Sequence, residues 1–109
     1  MGKIKKRRIR WQPSESQDVA GYKLYWSIGG GVDYDSDCAE VGKVNEVILP
    51  DDVPSFPLVS AEMELGVTAL NYTGNESEMT KFAAPFDFTA PDPPRDLAVE
   101  TIQDFWWKV

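Results

Sequence analysis

The chain has 109 residues, the length of one domain, so a two-domain enzyme is excluded. It is 42% hydrophobic and 27% charged, with four Trp, four Tyr and five Phe; disorder throughout is excluded, and no stretch has the ~18 apolar residues of a membrane-spanning helix. The absence of His rules out His acid/base chemistry and His metal sites, and a net charge of −7 argues against nucleic acid as the main partner.

Strand signals dominate from the first residues onward. Residues 4–11 form a strand candidate inside a basic run of Lys3, Lys5, Lys6, Arg7, Arg8 and Arg10. Residues 11–109 are left with 5 basic against 18 acidic groups, a local net of −13. The run reads either as an arm for an anionic polymer or as a strand with a solvated cationic face. Trp11-Gln12-Pro13-Ser14-Glu15 follows it instead of an apolar stretch, so the run does not open a signal peptide.

Beyond a turn at residues 13–18, Tyr22, Leu24, Trp26 and Ile28 alternate with Lys23, Tyr25 and Ser27, the period of a half-buried strand. Three glycines, Gly29, Gly30 and Gly31, then break the pattern. Residues 39–41 and 46–49 are short strand candidates. Residues 50–57 are a proline-bounded turn region. Residues 62–71 alternate again, with Met63, Leu65, Val67 and Ala69 on one face, and residues 80–88 form the last strand. No window carries a helical period. The chain reads as an all-β antiparallel sandwich of about six to seven strands over residues 1–88, with a proline-rich linker and strand-like tail at 89–109. The expected core includes Ile9, Trp11, Tyr22, Leu24, Trp26, Val47, Leu49, Leu65, Val67 and Ala69.

Three segments carry a family resemblance. Trp11, Pro13 and the run Val19-Ala20-Gly21-Tyr22-Lys23-Leu24-Tyr25-Trp26 resemble strands B and C of a fibronectin type III domain. Val67, Ala69, Asn71, Gly74, Glu76 and Ser77, as V-x-A-x-N-x-x-G-x-E-S, are similar to that family's F strand, F–G turn and entry to G. Pro91-Asp92-Pro93-Pro94-Arg95-Asp96-Leu97-Ala98-Val99 resembles the linker and strand A that open such a module. The resemblance departs in three places. Met63 stands where the family usually has the Tyr that ties down the E–F corner. The E–F connection, from residue 50 to about 61, is long, so it either carries recognition or repacks that corner. Strand A is missing from the N-terminus, while an A-like segment lies at the C-terminus.

The resemblance implies an immunoglobulin-like fold and a binding or spacer module without chemistry or cofactor of its own. Its partner would be a protein or a polysaccharide. The recognition candidates are the B–C loop (Ser14, Glu15, Ser16, Gln17, Asp18) and the F–G loop (Tyr72, Thr73, Gly74, Asn75, Glu76), both at one pole. The alternative is a self-assembling subunit that dimerises by strand exchange through its C-terminal segment, with Leu97, Val99, Phe105, Trp106 and Trp107 as the assembly residues. Seven residues, 89–95, reach at most roughly 23–25 Å, whereas an eight-residue strand already spans roughly 26 Å, so this segment cannot easily return to its own strand-A start. It therefore begins a following module, pairs back in reversed direction, or completes a neighbour.

The other candidates read as surface features. Asp33, Asp35 and Asp37 open like a calcium loop, but Cys38 and Val44 stand where that loop needs Gly and Glu, so no metal is expected. Asn71-Tyr72-Thr73 and Asn75-Glu76-Ser77 fit the glycosylation rule and are equally explained as turn residues. Cys38 has acidic neighbours that disfavour thiolate, and no Ser or Thr has a His partner, so no enzyme is expected. One Cys and no signal fit the cytosol, yet an excised extracellular module would look the same.

Overall fold

The computed structural model describes residues 2–103. Six strands follow one another: β1 (Arg7–Arg10), β2 (Val19–Ile28), β3 (Asp37–Gly42), β4 (Glu46–Leu49), β5 (Ser60–Asn71) and β6 (Thr80–Asp87). There is no helix among the described residues. The strands make two antiparallel sheets, β1–β4 and β3–β2–β5–β6, which face each other over one core as a β-sandwich.

The register follows from the alternation. Tyr22, Leu24, Trp26 and Ile28 stand opposite Ala69, Val67, Leu65 and Met63, so the apolar sets of β2 and β5 share the inner face. On β6, Thr80, Phe82, Ala84 and Phe86 stand opposite Val67, Leu65, Met63 and Ala61, and therefore face inward too. From the small sheet, Val47 and Leu49 complete the core, opposite Ile9 and Arg7. The chain leaves β2 through Gly29, Gly30 and Gly31, all at φ between 75° and 114°, a conformation only glycine takes without strain.

The connection between β4 and β5 repacks the corner. Val53 and Phe56 are buried there, and the Phe56 ring lies 5.1 Å from Trp26 and 5.8 Å from Phe88 in edge-on geometry. Met63, at the position where the resemblance leads one to expect Tyr, is 1% exposed against the same cluster.

Several expectations shift. Strand β1 covers four residues rather than 4–11, because β4, its partner among the described residues, has four residues to offer. Tyr25 is 1% exposed although it lies on the outer face, whereas Ile9, Trp11, Val67 and Ala69 are only half-buried. Those four are inward-facing residues beside an open edge of the sandwich. No helix of the described residues is long and apolar enough to cross a membrane.

Candidate interaction surfaces

The two loops singled out by the sequence meet at one pole. Asn71 closes β5 and organises the loop that follows: its Oδ1 accepts the backbone N–H groups of Thr73 and Asn75 and the Thr73 hydroxyl, at 2.9–3.2 Å. The Asn75 carbonyl accepts from Asn71 N–H at 3.0 Å, and Gly74 sits at φ 89°. An Asx side chain capping its own turn is what makes such a loop stiff. Its amide Nδ2 donates across to Asp18 at 3.4 Å, which joins the 72–76 loop to the 14–18 loop. In the second loop, Ser14 N–H donates to the Tyr22 hydroxyl and Ser16 N–H to the Ser14 hydroxyl.

The named residues differ in what they present. Glu15, Ser16, Gln17, Asp18, Tyr72, Thr73, Gly74 and Asn75 are exposed, with Tyr72 the prominent apolar group at 73%. Ser14 is half-buried. Glu76 is half-buried against the outer face of the large sheet.

Glu76 anchors a polar cluster on the outer face of the large sheet. Its carboxylate accepts from the Tyr25 hydroxyl at 2.6 Å, from the Thr68 hydroxyl at 2.7 Å and from Lys23 Nζ at 3.4 Å. Burial, and then the hydrogen bond to Glu76, push the Tyr25 phenol up to about 12. Burial alone would raise the Glu76 carboxyl; the hydrogen bonds from Tyr25 and Thr68 and the Lys23 charge outweigh it, and its pKa lies below the ordinary value. The Tyr34 ring lies edge-on to Tyr25 at 6.0 Å, and Met79 lies over Gly66, where a side chain would collide. The Glu76 carboxylate thus takes three donors, from Tyr25, Thr68 and Lys23.

The acidic segment at 33–37 is a capped turn: Asp33 Oδ1 accepts from the Asp35 N–H and the Ser36 hydroxyl. Among the described residues no group of three His, Cys, Asp or Glu side chains is arranged to hold a metal. Cys38 is exposed.

The basic run is divided among separate contacts. Arg7 turns inward, lies over the Phe86 ring at 4.8 Å and donates to the Pro85 carbonyl; Lys6 pairs with Asp51, and Arg8 with Glu46. The two ion pairs are about half exposed and contribute little to stability.

A second surface, which the sequence reading passed over, lies between the two sheets. Among the described residues the outer edge of β1 and the outer edge of β6 are both unpaired, and they border a groove of about 660 Å³. Leu65, Val67 and Ala69 line its floor, with Trp11 at one end and Arg7 at the other. Phe82 faces inward by register yet is 68% exposed on the groove wall. The signal was the alternation of Thr80, Phe82, Ala84 and Phe86, one apolar residue more than the opposing sheet covers. Beyond β6 the tail carries Leu97 and Val99 at 100% and 94% exposure, while Phe105, Trp106 and Trp107 lie outside the described residues.

Compared with known proteins, the chain matches no family model, no curated protein and no solved structure.

Proposed function

We propose that this chain is a non-catalytic binding or spacer module of the fibronectin type III kind, which engages a protein or polysaccharide partner through the pole where loops 14–18 and 72–76 meet. The family reading is supported by the strand order: β1 with β4 and β3–β2–β5–β6 correspond to strands B with E and C′–C–F–G of that fold. The binding reading is carried by one observation, the Asn71 to Asp18 contact, which joins two exposed loops into a single preorganised surface. Tyr72 stands at its tip as an amphipathic anchor of the type that dominates recognition sites.

The test is capture on immobilised full-length protein, from a set of soluble polysaccharides and a protein extract, beside the variant Gln17→Ala, Tyr72→Ala, Asn75→Ala. A partner retained by the wild type and lost by the variant, at equal melting temperature, supports the assignment. Equal recovery on both removes the loops from the interface.

A further inference from the structure

The groove between β1 and β6 has the attributes of a strand site with its strand missing. Each flank is a strand with one edge paired and, among the described residues, the other free. Its floor is three apolar side chains of β5, half-buried or buried, and its wall holds an inward-facing Phe82 that nothing covers. At its end the Trp11 indole N–H is enclosed and has no acceptor. An extended segment laid there would cover Phe82, Val67 and Ala69, and would bring carbonyl groups to the free edges.

We infer that this groove receives residues 96–100 of a second copy of the chain. The segment alternates as a half-buried strand must: Leu97 and Val99 on one face, Asp96, Ala98 and Glu100 on the other. With Leu97 and Val99 turned into the groove, Asp96 and Glu100 stand outward. On β1 the outward residues are Arg8 and Arg10, so acidic side chains of the entering strand lie beside cations of the acceptor edge. The same cations oppose pairing of β1 with another β1, which leaves the edge selective for an acidic strand.

The donor is a second molecule because of how the tail leaves its own body. The Phe88 N–H donates to the Val59 carbonyl, which fixes the exit at the pole where β6 ends. Pro91, Pro93 and Pro94 follow, and each also restricts the residue before it to an extended conformation. Residues 90–94 therefore form a semi-rigid arm rather than the tight reversal that entry into the chain's own groove would require. Leu97, fully exposed, lies beyond that arm. Reciprocal exchange gives a closed dimer; head-to-tail exchange gives longer chains.

The test uses two full-length variants at exposed positions, so that folding is retained. Leu97→Asp with Val99→Asp disables the donor strand and keeps the groove. Phe82→Glu disables the groove and keeps the donor. Molar mass is measured by light scattering after size exclusion, with circular dichroism as the check on folding. The expected result is a wild type at twice the 12.2 kDa chain mass or a higher multiple, each variant alone monomeric, and a one-to-one complex when the two are mixed. A monomeric wild type overturns the inference, including the case where the tail variant lowers the melting temperature and so reveals the tail seated in its own groove. Assembly that survives Phe82→Glu, or a mixture that stays monomeric, overturns it as well. Neither result touches the pole-loop reading, which is tested by capture.

Discussion

The Tyr25 hydroxyl donates to the Glu76 carboxylate at 2.6 Å across 51 residues of sequence, and it does so on the face of the sheet turned away from the core. The contact pins the strand that leaves the 72–76 loop onto the centre of β2, and thereby holds the loop in place. Glu76 accordingly belongs to the scaffold that supports the 72–76 loop.

Breaking that contact leaves a buried phenol or a desolvated carboxylate without its partner. Tyr25→Phe and Glu76→Gln should each lower unfolding free energy by about 1–3 kcal/mol, the usual consequence of orphaning a group in a buried polar network. Urea denaturation of both single variants and the double variant measures this. A double variant less affected than the sum of the singles shows that the two residues act as one unit.

The same pair contributes to the pH dependence of stability. Glu76 has a folded pKa below its unfolded value, so its contribution is present above the unfolded carboxylate pKa of about 4 and is lost as pH falls through the lower folded value. Tyr25 has a folded pKa of about 12, so its contribution is complete below the unfolded phenol pKa of about 10 and disappears as pH rises from there to 12. Melting temperature followed across pH should fall at both ends, and Tyr25→Phe should remove the part of the alkaline fall that belongs to this residue. An unchanged alkaline limb in that variant contradicts the assignment.

Phe56 fills the corner beneath the 50–60 connection, 4% exposed and edge-on to Trp26, Phe86 and Phe88. Phe56→Ala should cost about 3–5 kcal/mol through lost transfer energy and the cavity left behind. For Leu58, 47% exposed on the same connection, substitution by Ala should stay within roughly 0.5 kcal/mol. Similar losses at the two positions contradict the packing role given to Phe56.

Asn71 is the residue on which the loop geometry depends. Asn71→Ala removes three accepted hydrogen bonds and the contact to Asp18, and should raise hydrogen exchange throughout residues 72–76. The effect on global stability should be smaller, about 1 kcal/mol, because the loop is exposed.

What could be read from the residues, and what could not, divides along a physical line. The strands with clean alternation, 22–28 and 62–71, could be read because one face is buried and the other solvated. Val32, Val53 and Phe56 have no such period around them; they are buried from loops, where only the fold decides which side chain points inward. Tyr25 occupies an outward position and is covered by Tyr34, from the turn after its own strand, and by Glu76, 51 residues on, so alternation mislabels it. The pole loops could be read through turn chemistry at Asn71 and Gly74. The absent strand A could be read, but the lining of the groove could not, because exposure of an inward-facing Phe82 is visible only once the register is known.

The most direct measurement of the sandwich's open edge is covalent trapping. In a full-length chain with Cys38→Ser, cysteines introduced as Phe82→Cys and Leu97→Cys should form a disulfide on mild oxidation that joins two molecules. Denaturing electrophoresis without reductant should then show a covalent dimer that needs both substitutions. A chain that remains uncross-linked, or one whose two cysteines join within a single molecule, contradicts the seating of one copy's tail in the groove of another.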